Sequence, residues 1–125
     1  MGLPPGLAAA SVCYLETTGR STGKPRVVEI WFAVEGTTIY LLSGGRERAH
    51  WVRNLQADPR ARLRVQGRTY PVAAAFVEGT SEDPTARRVL AAKYQGWQDG
   101  APLSRWARES LPVALRLDPD VAAAS

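Results

Sequence analysis

Histidine and cysteine each occur once in the 125 residues, and this scarcity removes several kinds of chemistry. With Cys13 alone, no intrachain disulfide can form, and the usage suits a reducing compartment. Cys13 sits in an apolar run and reads as packing. With His50 alone and no thiolate companion, the common His/Cys ligand sets for zinc cannot be assembled, and no metal is expected. No acidic pair stands out, and Ser43 in "LSGG" is not a G-x-S-x-G elbow, so no hydrolytic constellation is visible. No run of roughly 18 apolar residues is present, which excludes a membrane-spanning helix. "MGLPPGLAAAS" has neither a basic start nor a long apolar run, so a signal peptide is not expected and a cytoplasmic location is the default.

What the chain does have is positive charge. Sixteen Lys and Arg against twelve Asp and Glu give a formal charge of +4 and a pI near 9.7. Such an excess favours anionic partners: nucleic acid, a membrane surface, or a phosphorylated or carboxylated small molecule. The length suits one domain with a small core, so a large ligand would sit at the surface or at a dimer seam.

The residue pattern is mostly β. Strands are predicted at 11–18, 26–35, 39–43, 61–66, 69–78 and 112–118. "RVVEIWFAVE" is the richest in β-branched and aromatic residues, and "ARLRVQ" alternates, with Leu63 and Val65 opposite Arg62 and Arg64. A helix is predicted from Arg46 to about Ala57, ended by the Asp-Pro step, and another from Ser81 or Asp83 to Tyr94. A short one is expected around 103–110. About six mostly antiparallel strands with two or three helices imply a mainly β (α+β) small barrel. Residues 1–10 and 119–125 read as flexible ends of a single domain at 11–118.

Two stretches combine glycine with positive charge. "TTGRSTGKPR" packs two glycines, small hydroxyls and Arg20, Lys24 and Arg26 into one turn. Glycines admit close backbone approach to an anion and the cations supply charge; a solvated hairpin tip is the other reading. "LLSGGRERAHWVRNLQADP" places Gly44 and Gly45 between a strand end and a helix start, where free amides favour an anion. Arg46, His50 and Asn54 recur every four residues and should share one face. Ala49, Val52 and Leu55 form the apolar stripe. Trp51 suits either core or ligand. In "AAKYQGWQDG", Tyr94 and Trp97 suit either a substrate wall or a cover for the barrel mouth.

Three ordered stretches, "LETTGRSTGKPR", "IWFAVEGTTIYLLSGG" and "HWVRNLQADPRARLRVQGRTY", together resemble the deazaflavin (F420)-dependent nitroreductases, the F420H2-dependent quinone reductase group. The resemblance implies a flavin-reductase-like split β-barrel and an anionic cofactor, coenzyme F420, with a phosphate and a glutamate tail. It implies cofactor contacts at Arg20, Ser21, Lys24, Pro25 and Arg26, at Ser43, Gly44, Gly45 and Arg46, and at Trp51 and Asn54. It puts Tyr94 near the substrate, as a possible proton donor. The implied activity is hydride transfer to a quinone, nitro compound or similar electron-poor small molecule. Such an enzyme needs little beyond binding, orientation and electrostatics, consistent with the missing catalytic triad. FMN, or a tetrapyrrole such as haem or biliverdin, is the alternative ligand for the same fold. A nucleic-acid-binding barrel using Arg60, Arg62, Arg64 and Arg68 is a second alternative that the preferred reading does not expect. A homodimer is possible, because split barrels often pair.

Overall fold

A computed structural model of the chain describes Leu3 and residues 6–117. The strands are β1 (Cys13–Thr18), β2 (Pro25–Ile30), β3 (Ala33–Glu35), β4 (Thr38–Ser43), β5 (Arg60–Val65), β6 (Arg68–Phe76) and β7 (Leu111–Leu117). Three α-helices accompany them: α1 (His50–Ala57), α2 (Asp83–Gln95) and α3 (Arg105–Glu109). All pairings are antiparallel, in the order β2-β1-β5-β6-β7-β4-β3. The seven strands curl into a half-barrel. Among the described residues, no helix is long and apolar enough to cross a membrane.

The strand expected over 26–35 is two strands at opposite edges of the sheet. They are parted at Trp31 and Phe32. Phe32 is fully buried, and its backbone bonds go to side chains of α2 instead of to a neighbouring strand. An apolar plug at the break therefore keeps the sequence looking like one uninterrupted strand.

Inside the half-barrel lie Leu15, Ile39, Leu41, Leu63, Val113 and Leu115, joined by Leu55 from α1. The outer face of β3, β4 and β7 carries Ala33, Tyr40, Leu42 and Ala114, which meet Ala86 and Leu90 of α2. With both faces covered, β4 and β7 lose visible alternation. β5 keeps it: Ala61, Leu63 and Val65 are buried and the three arginines exposed. The expected mobile start includes a 3-10 turn, Leu7–Ala9, whose Leu7 side chain joins the inner core. Residues 119–125 lie outside the described residues.

Polar ties lock α2 to the sheet. Tyr40 Oη donates to Glu82 Oε1 at 2.6 Å, and Arg116 grips the same carboxylate at 2.7 and 3.1 Å. The Arg116 hydrogen bonds, then that from Tyr40, hold the Glu82 carboxyl at about 2, below its usual 4.5. The folded value lies below the unfolded one. The stabilisation is therefore complete above about pH 4.5 and is lost as pH falls towards 2. Glu82→Gln is expected to flatten the fall in urea midpoint across this window. An unchanged acid limb in the variant would assign it to other carboxylates.

Candidate functional site

The loop between β1 and β2 faces the first turns of α1 across a cleft of about 590 Å³. Its framework starts with a buried amide. Asn54 Nδ2 donates to Thr17 Oγ1 at 3.1 Å, which turns Oδ1 towards the loop. Oδ1 then accepts from the Arg20 backbone N–H at 3.2 Å and from Arg20 Nη1 at 2.8 Å. Arg20 Nη2 lies 3.2 Å from His50 Nδ1. A guanidinium only donates, so in this contact Nδ1 is the accepting nitrogen. Arg26, Val27 and Val28 of β2 and Trp51 complete the wall, and among the described residues no carboxylate lines it.

The glycines of this loop act differently from the expectation. Gly19 N donates to Lys24 O at 2.8 Å and Gly23 N to Gly19 O at 2.7 Å, so these amides close the turn rather than face a ligand. A Cβ on Gly19 would stand 3.0 Å from both Lys24 O and Thr22 Oγ1, tight enough that its neighbours would have to give way. Gly23 takes a left-handed φ of 73° that other residues adopt only under strain. Tight folding of the loop fixes where Arg20 stands.

Of the expected cofactor contacts, Arg20, Ser21, Arg26, Trp51 and Asn54 gather at the cleft. Lys24 belongs to the same loop, and Pro25 borders a neighbouring groove with Gly23 and Arg60. Ser43, Gly44, Gly45 and Arg46 are elsewhere. The Ser43 hydroxyl is buried and donates to Arg46 O at 3.0 Å. Gly44 lies under Trp106, 3.5 Å from a would-be Cβ. The expected single helix is a 3-10 turn, Arg46–Arg48, set off from α1 by extended Ala49, so Arg46 does not share a face with His50 and Asn54. Arg46 instead takes a left-handed φ of 53° and chelates Glu78 at 2.7 Å, with a further bond to Glu109 O. The helix start at Ala49–His50 comes four residues after Gly45, where a Cβ would stand 3.8 Å from Ala49 N, so the glycine turn lies against the start of α1 without forming its first turn.

Tyr94 also differs. Its hydroxyl accepts from Phe32 N at 3.1 Å and faces the carbonyls of Ser11 and Phe32 at 2.8 and 2.9 Å. Its one proton is thereby shared between two backbone carbonyls and one lone pair takes a backbone N–H, and burial pushes its pKa up. The side chain expected to donate a proton thus directs its O–H at backbone carbonyls. The ring, however, stacks on Trp31 with centroids 4.3 Å apart, and Trp31 meets Trp106 edge-on at 5.5 Å. Trp31 and Trp106 border a second groove with Val12, Ile30 and Gln95. Beside Tyr94, Lys93 Nζ donates to Ala10 O and Phe32 O and sits 3.8 Å from the Phe32 ring centroid.

Sequence reasoning missed Thr17, Trp31 and the pairing of His50 with Arg20. A lone threonine in a strand carries no signal; Trp31 was hidden within an apparently continuous strand. Among the described residues, no three His, Cys, Asp or Glu side chains gather as a metal-ligand set.

Solved structures share this fold. A conserved hypothetical protein from Mycobacterium tuberculosis superposes with a TM-score of 0.70 at 20% identity, over 89% of this chain and 74% of that one. An F420-H2 dependent reductase gives 0.61 at 21%, over 86% and 94%. A heme binding protein from Mycobacterium smegmatis gives 0.65 at 22%, over 90% and 48%. These likenesses establish the flavin-reductase-like split barrel. The sequence pattern of one family, described as F420H(2)-dependent quinone reductase, matches residues 5–118. With nearly the whole chain matched, the protein belongs to the F420H2-dependent quinone reductase family and is an F420-dependent oxidoreductase.

Proposed function

We propose that the cleft between the β1–β2 loop and α1 binds the anionic part of coenzyme F420, and that the chain uses the reduced cofactor to reduce a quinone, nitro compound or similar electron-poor acceptor. The observation that carries this reading is Arg20, held in place by Asn54 at a carboxylate-free cleft with Arg26 and an aromatic wall. The donor set suits the group: guanidiniums for phosphate or carboxylate, and Trp51 beside Val28 for a flat ring edge. When bound, the reduced deazaflavin supplies the hydride.

The chain's own part is placement and charge. Asn54 holds Arg20 before any ligand arrives, which lowers the ordering cost of binding. Arg20 and Arg26 would neutralise the phosphate and tail. Trp31, backed by the Tyr94 ring, offers a flat apolar face on which an aromatic acceptor could stack. Protonation of the product falls to solvent, because the Tyr94 hydroxyl is engaged.

Side-by-side fluorescence titration with F420, FMN and biliverdin tests the ligand, and turnover of a quinone against a nitroaromatic tests the acceptor. Saturable binding of F420 alone supports the reading; preferential binding of FMN or biliverdin overturns it. Arg26→Ala should weaken F420 binding by about 1.5–3 kcal/mol, the worth of hydrogen bonds to charged groups. Unchanged affinity would move the tail site off β2.

A further inference from the structure

We propose that His50 is an additional anion ligand of the cleft, and that anion binding draws a proton onto it. This rests on the cofactor reading above and extends it to a residue whose role was left open.

His50 Nδ1 faces Arg20 Nη2 at 3.2 Å, and since a guanidinium only donates, Nδ1 serves there as the acceptor. Arg20 from the loop and Arg26 from β2 line the same cleft, both permanently positive, and among the described residues no carboxylate lines it to offset them. Thr17 and Asn54 add only neutral dipoles. On its own segment, Glu47 pairs with Arg46, and Arg53 donates to the Glu47 carbonyl. The described side chains that line the cleft with His50 thus carry positive charge or none.

An anion reverses the balance. Placed between Arg20 and His50, it accepts from the guanidinium that now donates to Nδ1. The imidazole loses its donor and gains an acceptor. A proton from solvent on Nδ1 then gives His50 a charge-assisted hydrogen bond to the anion. The bound state holds one proton more than the free state, so affinity falls as pH rises through the titration of His50. The exposed position of His50 at the first residue of α1 leaves room for this exchange.

His50 is the only histidine in the chain, so tag-free protein gives one imidazole signal to follow by NMR. Sulfate is the first probe, because its charge is constant between pH 5 and 9. F420 is the second, titrated by fluorescence in wild type and His50→Gln, a comparison that cancels the ligand's own ionisation. With saturating sulfate, the midpoint of the His50 signal should move up by about half a unit or more, equivalent to about threefold in affinity. F420 affinity should fall at least that much more from pH 5.5 to 8.5 in wild type than in His50→Gln. An identical midpoint with and without saturating anion, or F420 binding with the same pH dependence in both proteins, overturns the proton-coupled role. Failure of F420 to bind while sulfate still shifts His50 would instead remove the cofactor reading and leave the anion ligand standing.

Discussion

Arg87→Met should lower unfolding stability by about 3–5 kcal/mol, the cost of leaving one partner of a buried ion pair behind. Arg87 lies in the middle of α2 with its side chain 11% exposed. Its Nε donates to Asp83 Oδ1 at 2.6 Å, one turn earlier. Its Nη1 reaches the carbonyls of Ala107, Arg108 and Ser110 at 2.7 to 3.0 Å. Those carbonyls belong to the end of α3 and the approach to β7, where helix geometry leaves acceptors without internal donors. One guanidinium thus fastens three elements, and methionine replaces its volume while removing every donor. Arg87→Lys should recover only part of the loss, because one ammonium cannot serve the carboxylate and three carbonyls from a single plane. Urea unfolding measures both. A loss under 1 kcal/mol for Arg87→Met would mean that water takes over these acceptors at little cost.

The second large effect is expected in binding. Asn54→Asp should keep the fold and weaken F420 binding by about tenfold, or about 1.4 kcal/mol. The side chain keeps its shape and still accepts from the Arg20 amide and Nη1. A carboxylate there would, however, neutralise the guanidinium meant for the ligand and bring negative charge to a cleft that has none. Asn54→Ala acts by a different route. Towards aspartate the Thr17 hydroxyl can turn and donate, but alanine leaves it with no partner and the loop without its tether, so stability falls along with affinity, by about 1–3 kcal/mol for the stranded group. Fluorescence titration and urea melts on the two variants separate charge from positioning. Equal affinity for wild type and Asn54→Asp would show that Arg20 does not meet the ligand's charge.

Much of this architecture was legible in the chain. The alternation of "ARLRV" marks β5 and its inner face because only one side is covered. The pattern at Val52 and Leu55 fixed the buried side of α1. The loop at 19–26 drew notice through its glycines and cations, and Arg20, Arg26 and Asn54 do meet. What stayed hidden depends on backbone geometry that composition does not report. The extended Ala49 separates Arg46 from α1, and this breaks a spacing rule that assumes one continuous helix. The two edge strands look like one because Phe32 fills the gap with the same kind of side chain a strand would carry. The Tyr94 hydroxyl could not be assigned from sequence, since its partners are carbonyls 62 and 83 residues away.

That same junction at Trp31 and Phe32 has a dynamic consequence. Both free margins of the sheet end there, and Lys93 and Tyr94 clasp it together with the backbone of Ala10 and Ser11. The amide of Phe32 belongs to no ladder, yet its exchange with deuterated solvent should be among the slow ones, because it is released only when the end of α2 lifts. Breathing of the half-barrel should then be least at this seam, where the two edge strands meet.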